Sequence, residues 1–383
     1  MPALLPLSLY IHIPWCVRKC PYCDFNSHAA EPALPEQAYV DALLADLDQD
    51  LPLAQGRTVQ TVFIGGGTPS LFSAQAIHAL LEGVATRLPL APQAEITLEA
   101  NPGTAESGKF QGFRQAGVNR LSIGIQSLND RHLQALGRIH GSREAIRAAA
   151  IAKAAGFDNV NLDLMFGLPG QTQEEALEDV RGALALIPTH ISFYQLTLEP
   201  NTWFHKHPPQ LPGDDALWAM QEACQALLAG AGYRQYEVSA YARDGFRCRH
   251  NENYWRFGDY LGLGAGAHGK LTDASGNIAR IWKVRHPARY LESAGTTASI
   301  GGRDNVTAAE LPLEFLMNHL RLKEGFVDAV FTERTGLGLQ ALEPGLADCI
   351  HAGLLEHRDG IVRCTRQGWN FLDTVLEAFI PHK

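Results

Sequence analysis

The sequence has no hydrophobic run long enough to cross a membrane as a helix. None of its apolar stretches approaches the roughly 20 consecutive residues that a membrane-spanning helix requires. The apolar segment from Met1 to Trp15 is short, contains prolines and lacks a basic beginning. It is therefore interpreted as a strand rather than a signal peptide. The chain is predicted to lack a membrane span and to work in the cytoplasm.

The sequence also lacks an excess of positive charge. It carries 32 lysines and arginines against 41 aspartates and glutamates, for a formal net charge of −9. Proteins that hold nucleic acid mainly through its phosphates need many basic contacts, so nucleic acid is not expected as a partner. A length of 383 residues is enough for a large core and more than one domain.

A disulfide framework is missing as well. Three of the seven cysteines, Cys16, Cys20 and Cys23, crowd into one short segment. The other four are scattered along the chain: Cys224, Cys248, Cys349 and Cys364. An odd number in this distribution does not fit a disulfide scaffold. The crowded three indicate a metal site in a reducing compartment, and the scattered ones, Cys248 excepted, are interpreted as buried or idle thiols.

Short apolar strands alternate with helical segments from Leu7 to about Thr197. The predicted strands are Leu7–Ile13, Thr61–Ile64, Glu95–Glu99, Arg120–Ile125, Asn159–Met165 and His190–Leu196. The predicted helices between them include Glu36–Gln49, Ser73–Arg87, Arg143–Ala155 and Gln173–Leu186. This alternation predicts an α/β protein with parallel strands and right-handed crossovers.

Several of these strands alternate apolar and polar residues. Ile96 and Leu98 share one face of their strand, whereas Glu95, Thr97 and Glu99 share the other. A doubly wound sheet is covered on both faces and would show continuous apolar runs instead. The pattern predicts a partial (β/α)6 barrel with a polar lumen and a site at the carboxyl ends of its strands. A sheet with one solvated face is the alternative.

The rest of the chain has a different pattern. Residues 270–309 are polar and are predicted to be loop-like, and a helical region with a short hairpin around His357–Val362 follows. We therefore predict a barrel over 1–230, a barrel extension over 231–309, and a smaller accessory domain over 310–383. This C-terminal domain is expected to be mainly helical, and a winged helix is one form that it could take.

The segment Cys16-Val-Arg-Lys-Cys20-Pro-Tyr-Cys23 follows the first strand. A short loop of this kind can supply three thiolates to the iron atoms of a cubane cluster. The fourth iron would then have no protein ligand. A zinc site made of the three cysteines and His28 is an alternative, although structural zinc sites usually take ligand pairs from two separated segments. The third interpretation is that the thiols hold no metal.

The C-x3-C-x2-C spacing, with the aromatic Tyr22 before the last cysteine, resembles the radical S-adenosylmethionine (SAM) superfamily. The resemblance implies a [4Fe–4S] cluster on Cys16, Cys20 and Cys23, with SAM on the fourth iron. The Gly-Gly-Gly-Thr-Pro segment at 65–69 is similar to the superfamily's GGTP segment, which holds the methionine amino group. Glycines there would let the backbone approach a ligand closely. An ordinary turn between a strand and a helix is the alternative.

The same resemblance implies a set of SAM-contacting positions. They are Tyr10, Tyr22, Gly66, Gly67, Thr68, Glu99, Gln126, Arg138 and Asp163. A cation such as Arg138 suits the methionine carboxylate, and a carboxylate such as Asp163 suits ribose hydroxyls. Each polar member could instead be an ordinary lumen or surface residue. Asp163 has the strongest case, because a charged group between two leucines on a buried strand needs a partner.

Longer motifs resemble the oxygen-independent coproporphyrinogen III oxidase group, and within it the HemW-type haem chaperones. They include Tyr10-Ile-His-Ile-Pro-Trp, Glu99-Ala-Asn-Pro-Gly, Leu136-Gly-Arg-Ile-His and His250-Asn-Glu-Asn-Tyr-Trp. Two departures from the oxidase favour the chaperones. Few residues precede the first strand, and Asp24-Phe25-Asn26 stands where the oxidase has a further cysteine. The resemblance implies that haem is bound as cargo, reversibly or covalently, and is delivered to an acceptor such as a respiratory haem protein.

His250, Tyr254 and Trp255 are the candidate haem contacts. His250 could be an axial ligand, and the two aromatic rings could stack on a porphyrin. Cys248 is a weaker candidate for a thiolate or covalent partner, and the C-x-x-C-H attachment motif is missing. The alternative is that His250 only braces a loop.

The favoured function is haem binding and transfer, with no catalytic residue assigned and a homodimer as a further expectation. The competing hypothesis is an enzyme, namely a radical SAM oxidative decarboxylase of coproporphyrinogen III or a related tetrapyrrole. In that case the protein would mainly orient the substrate and exclude water.

Overall fold

A computed structural model describes residues 5–31 and 33–381 of the chain. Residues 1–4 of the apolar segment interpreted as a strand, and the last two residues of the predicted 310–383 segment, lie outside the described residues. The strands are β1 Leu7–Ile13, β2 Trp15–Cys16, β3 His28–Ala29, β4 Val59–Gly66, β5 Leu90–Ala100, β6 Arg120–Gln126, β7 Asn159–Phe166, β8 His190–Gln195, β9 Arg234–Glu237, β10 Ala240–Ala242, β11 Asp259–Leu263, β12 His268–Thr272, β13 Ile278–Lys283, β14 Ile300–Asn305, β15 Phe326–Val327, β16 Leu355–Arg358 and β17 Ile361–Cys364.

Fifteen α-helices connect or follow these strands in the described part of the chain. They are α1 Glu36–Ala54, α2 Ala74–Ala85, α3 Ser107–Gln115, α4 Asp130–Ala135, α5 Ser142–Ala154, α6 Gln173–Ala185, α7 Trp203–Lys206, α8 Asp214–Gly230, α9 Arg249–Trp255, α10 Pro287–Ser293, α11 Leu311–His319, α12 Asp328–Thr335, α13 Gly345–His351, α14 Arg366–Asn370 and α15 Leu372–Glu377. No helix in the described ranges is long and apolar enough to span a membrane.

One twelve-stranded sheet carries the fold, in the order β14-β13-β12-β11-β1-β4-β5-β6-β7-β8-β10-β9. Its central strands β1, β4, β5, β6, β7 and β8 are all parallel, which confirms the predicted six-unit strand–helix core. The strand β11 adds a seventh parallel strand beside β1, although it comes about 250 residues later in the sequence. Antiparallel strands extend the sheet at both ends.

The two faces of the central sheet differ as the alternation predicts. Leu9 and Ile11 of β1 are fully buried in the core that also contains Leu43 of α1. The opposite face carries polar side chains that are buried too, such as Thr61 and Ser122. Because these polar groups are not in contact with solvent, the alternative of a sheet with one solvated face is wrong. The polar face lines a lumen.

The prediction of loops over 270–309 is wrong, because most of β12, all of β13 and β14, and helix α10 lie there. The polar composition hid the strands. Lys283 of β13 is buried, and its Nζ lies 2.6 Å from a carboxylate oxygen of Asp46 and 2.8 Å from one of Asp50, both in α1. These ion pairs form only in the folded chain. From the sequence alone a lysine is expected to be exposed, whereas Lys283 anchors β13 to α1.

The C-terminal region forms the expected mainly helical unit. It combines α11 to α15 with a three-stranded sheet in the order β15-β17-β16. The predicted hairpin around residues 357–362 is confirmed, since β16 and β17 pair antiparallel. Phe315, Phe331 and Leu346 belong to a hydrophobic cluster that also takes in Phe257 and Ile278 from the sheet region. The unit therefore packs directly on the sheet extension.

Candidate functional site

Cys16 ends the short strand β2, and Cys20 and Cys23 lie on the loop that leads to β3. The strands β2 and β3 pair in parallel through Trp15 and His28. The Cys23 amide donates a hydrogen bond to the Cys20 carbonyl at 3.1 Å and so folds the loop back on itself. All three thiols are half-buried and line one cavity of about 390 Å³ at the carboxyl ends of the parallel strands. The loop thus brings the predicted ligands together.

The donor set fits a cluster better than a single ion. In the described ranges, no three His, Cys, Asp or Glu side chains converge as a single ion requires, whereas a cubane takes each thiolate on a different iron. Arg138 Nη1 donates to Cys20 Sγ at 3.5 Å. His28, the fourth residue of the zinc alternative, instead lines a different cavity and packs against His286.

The glycine segment after β4 forms a cradle beside the cysteine loop. Gly66 has φ +113°, and a Cβ atom there would lie 2.6 Å from the His12 ring. A Cβ atom on Gly67 would lie 2.5 Å from the Trp15 carbonyl oxygen. Thr68 follows and donates its hydroxyl proton to Cys16 Sγ at 3.4 Å. Only glycine fits these two positions, so the bare backbone can approach a ligand in the cavity.

Two half-buried carboxyl groups line the same cavity as this cradle. Glu99 accepts a hydrogen bond from the Gly66 amide at 3.1 Å, and burial together with the nearby Asp163 raises the pKa of Glu99 to about 8. Burial also raises the pKa of Asp163, which Asn161 contacts at 2.7 Å. Neither acid has an ion-pair partner within the described part of the chain. A ligand that brings positive charge and hydroxyl groups would satisfy both.

Replacement of Glu99 by glutamine should change how stability depends on pH. In the folded chain Glu99 keeps its proton up to about pH 8, whereas the ordinary pKa of a glutamate in the unfolded chain is 4.5. Between these values the folded state binds more protons, so the free energy of unfolding falls as pH rises. The advantage of Glu99→Gln over the wild type should grow by more than about 1 kcal/mol from pH 5 to pH 8.5.

Urea unfolding without SAM measures this difference. The matched control is Glu106→Gln, which makes the same chemical change at an exposed glutamate and should run parallel to the wild type at every pH. A Glu99→Gln profile that also parallels the wild type would show that Glu99 is ionised in the folded protein.

Gln126 and Arg138 complete the opposite wall of this cavity. Gln126 has φ +67°, a left-handed conformation that is costly for a residue with a side chain and that often occurs at functional sites. Its Oε1 accepts a hydrogen bond from the Tyr194 hydroxyl at 2.7 Å. Arg138 Nη2 donates to the Gly124 carbonyl at 2.8 Å. Tyr194 and Ser192 also line the cavity. They are not among the predicted SAM positions, although β8 alternates polar and apolar residues in the same way as β5, β6 and β7.

Eight of the nine predicted SAM positions line this cavity, and the ninth does not. Tyr10 lines a second cavity of about 760 Å³, and its hydroxyl lies 2.9 Å from His12 Nδ1. Both cavities are lined by Gly66, Glu99 and Asn251, so they are adjacent and Tyr10 stands beside their common wall. The second cavity, here called the aromatic cavity, is lined by the rings of Phe25, Phe63, Tyr254, Trp255, Tyr260 and Trp282.

Helix α9 brings His250, Tyr254 and Trp255 to the aromatic cavity. The backbone amides of Arg249 and His250 donate to the two carboxyl oxygens of Glu95 at 3.2 and 3.1 Å, so a carboxylate caps the start of the helix. His250 Nδ1 lies 2.9 Å from Thr61 Oγ1. His250 therefore braces helix α9 and also lines the cavity. This position is compatible both with a bracing role and with contact to haem.

The protonation states favour His250 over Cys248 as a metal ligand. Burial, together with the Arg120 guanidinium, lowers the pKa of His250 to about 3, so its imidazole is neutral and can bind a metal. Cys248 is fully buried, does not line the aromatic cavity, and has a thiol whose pKa burial raises to about 12. Cys224 and Cys349 are also buried and Cys364 is half-buried, as expected for structural thiols.

Comparison with known proteins relates the whole chain to others. Residues 10–182 match the radical SAM superfamily, and residues 306–371 match the HemN C-terminal domain. The haem chaperone HemW of Escherichia coli (strain K12) is 53% identical over 99% of this chain and all of its own length. HemW of Haemophilus influenzae is 51% identical over the full length of both chains.

More distant proteins match over nearly the same length. The mitochondrial radical S-adenosyl methionine domain-containing protein 1 of Bos taurus is 38% identical over 97% of this chain and 87% of its own. Among solved structures, coproporphyrinogen III oxidase (HemN) of Escherichia coli superposes with a TM-score of 0.83 at 22% identity, covering 98% of this chain and 90% of the other. At that identity the likeness concerns the fold alone.

Proposed function

Because the chain belongs to the HemW family of radical SAM proteins, we propose that it is a haem chaperone, which binds haem and transfers it to an acceptor protein. The aromatic cavity is the observation that carries this proposal. Its volume of about 760 Å³ lies within the range of small-molecule and cofactor sites. Its walls are aromatic, as a flat porphyrin requires for stacking, and His250 supplies a neutral imidazole at the wall.

The rim of the aromatic cavity suits the polar edge of haem. Arg285 lines the cavity, is exposed, and has no side-chain hydrogen bond or ion pair among the residues described. Its backbone carbonyl accepts a hydrogen bond from Asn26 Nδ2 at 2.8 Å, which ties this part of the rim to the cysteine loop. A guanidinium pairs well with carboxylates, so the propionates of haem would point towards Arg285 while the ring lies among the aromatic residues.

The cavity beside it fits the two resident cofactors of the family. Cys16, Cys20 and Cys23 would hold a [4Fe–4S] cluster, and the glycine cradle, Glu99, Gln126, Arg138 and Asp163 would bind SAM. Such a cluster supplies electrons at low potential and one iron that chelates SAM through its amino and carboxylate groups. The residues of this chain orient the ligand, exclude water with the cysteine loop and keep Glu99 protonated until a cationic group approaches.

The remaining expectations on domains, partners and location are part of this proposal. They are the boundaries 1–230, 231–309 and 310–383, an acceptor among the respiratory haem proteins, a homodimeric state and a cytoplasmic location. The absence of nucleic acid from the partners rests on the net charge of −9.

An oxidative decarboxylase of coproporphyrinogen III is the second candidate. The adjacency of the two cavities favours it, because a porphyrinogen in the aromatic cavity would lie beside the SAM cavity. Asp24 and Phe25 argue against it: they occupy positions where the oxidase is expected to have a further cysteine, and both line the aromatic cavity. We therefore favour a binding and transfer protein over an enzyme.

A single preparation separates the two candidates. The protein is reconstituted anaerobically with iron and sulfide, titrated with haem, and then assayed with coproporphyrinogen III and SAM under reducing conditions. We expect about one haem per chain, in line with one cavity of suitable size, and no vinyl product. Conversion of coproporphyrinogen III to protoporphyrinogen would refute the chaperone proposal and support the decarboxylase. Failure to bind haem, with an intact cluster and no turnover, would contradict both candidates.

A further inference from the structure

His250 lies against two polar side chains on neighbouring strands of the central sheet. Ser8 of β1 and Thr61 of β4 are paired in register on neighbouring parallel strands, and both are buried. Helix α9 packs across these strands, so the His250 ring stands directly over Thr61 at 2.9 Å from Nδ1 to Oγ1. The ring also packs against Phe63, with 5.1 Å between the ring centres.

The hydrogen bonds around Thr61 determine which partner donates. A hydroxyl group has one proton to donate and two lone pairs that accept. The Thr61 hydroxyl donates its proton to Ser8 Oγ at 2.8 Å. Asn253 Nδ2, from the same helix as His250, also donates to Ser8 Oγ, at 2.9 Å. With the proton of Thr61 donated to Ser8, Thr61 Oγ1 accepts from the histidine, and this arrangement places the imidazole proton on Nδ1 of His250.

We propose that Thr61 is a positioning residue that holds His250 in its Nδ1–H tautomer, with the lone pair of Nε2 turned to the aromatic cavity as the ligand for haem iron. This inference rests on the proposed haem binding and goes further by naming the ligand atom and its support. Among the residues that the structure describes, no group hydrogen-bonds to Nε2 of His250, and the side chain lines the cavity. A neutral imidazole with a proton on one nitrogen can bind a metal only through the other.

The hydrogen bond also affects the strength of the ligand. When the distal nitrogen of a ligating histidine donates to an acceptor, the ring orientation is fixed and the metal-binding nitrogen becomes more basic. In this chain the backbone of His250 is held by Glu95 and its ring by Thr61 and Phe63. The ligand is therefore oriented before haem arrives, and little side-chain freedom is lost on binding.

Replacement of Thr61 by valine tests this inference. Valine keeps the shape but has no acceptor, so the Nε2–H tautomer, whose proton can reach the cavity, becomes favoured. Haem affinity should fall by about 10- to 100-fold, the usual effect of losing a partner of a metal ligand. In the ferrous complex the iron–histidine stretching frequency should also fall. Thr61→Ser, which keeps the hydroxyl, should restore both.

The matched control is Thr97→Val on the adjacent strand β5. Thr97 pairs with Phe63 in register and is also fully buried, but its hydroxyl has no hydrogen-bond partner in the described chain. The same chemical change there should leave haem affinity and the stretching frequency at the wild-type values. If Thr97→Val lowers them as much as Thr61→Val does, loss of packing explains the effect and the positioning role is refuted.

The remaining outcomes separate this inference from the proposed function. Nitrogen-15 histidine spectra of the haem-free wild type should show a protonated Nδ1 on His250; a protonated Nε2 would overturn the inference without any variant. If Thr61→Val binds haem with unchanged affinity and an unchanged iron–histidine stretching frequency, the positioning role is refuted. The proposed chaperone function would not be affected by that result. A wild-type protein that binds no haem would instead refute the proposed function.

Discussion

Simultaneous replacement of Cys16, Cys20 and Cys23 by serine should abolish the iron–sulfur cluster. Serine is of similar size but does not supply a thiolate to iron, and no other cysteine lines the cavity in the described residues. The scattered cysteines cannot substitute, because Cys248 is buried at the start of helix α9 and the others lie elsewhere in the fold. We expect the variant to lose essentially all cluster iron and sulfide after anaerobic reconstitution, as measured by chemical analysis and visible absorption.

A control variant separates ligand loss from general damage. Cys364→Ser changes a half-buried cysteine in the C-terminal domain and should reconstitute like the wild type. The far-ultraviolet circular dichroism of the triple variant should also match the wild type, since the cysteines lie on a loop outside the main sheet. A full cluster content in the triple variant would refute the ligand assignment.

His250→Ala should remove most of the haem affinity. The substitution deletes the proposed iron ligand, and the stacking of the aromatic rings alone should hold haem at least about 100-fold more weakly, since one metal bond would be lost. The Soret band of any haem that remains should shift, because the iron then lacks its imidazole. Haem titration of the two proteins at equal cluster content measures both effects.

His268→Ala is the discriminating comparison for this prediction. Three histidines line the aromatic cavity, and the ring nitrogens of His12 are already engaged with Tyr10 and Asn26. His268 lies at the start of β12 and is exposed. If His250 is the ligand, His268→Ala should change the affinity far less than His250→Ala. A larger loss of affinity in His268→Ala than in His250→Ala would identify His268, in the antiparallel extension of the sheet, as the ligand instead.

The central strands could be predicted because their signal is local. Alternation along β5, β6 and β7 reports which face each side chain meets, and the regular order of strand and helix predicts that the six strands are parallel. The strand β11 could not be found in this way, since its partner β1 lies about 250 residues away in the sequence. The strand β13 was hidden by Lys283, whose charge is balanced only after α1 has packed beside it.

The same difference between local and long-range signals applies to the candidate site. The cysteine loop and the glycine segment are contiguous motifs, so they could be recognised from their spacing. Thr61 could not, because its relation to His250 spans 189 positions and depends on the packing of α9 on β4. Tyr10 lines the aromatic cavity beside the common wall, and the SAM contact that the resemblance implies for it stays a prediction.

That common wall has a thermodynamic consequence. Gly66, Glu99 and Asn251 line both cavities, so an occupant on one side changes the surroundings of the other. Linkage requires such an effect to be mutual: the factor by which SAM changes the dissociation constant of haem equals the factor by which haem changes that of SAM. If haem and SAM occupy the two cavities as proposed, the state of the cofactor would therefore affect both loading and release of the cargo.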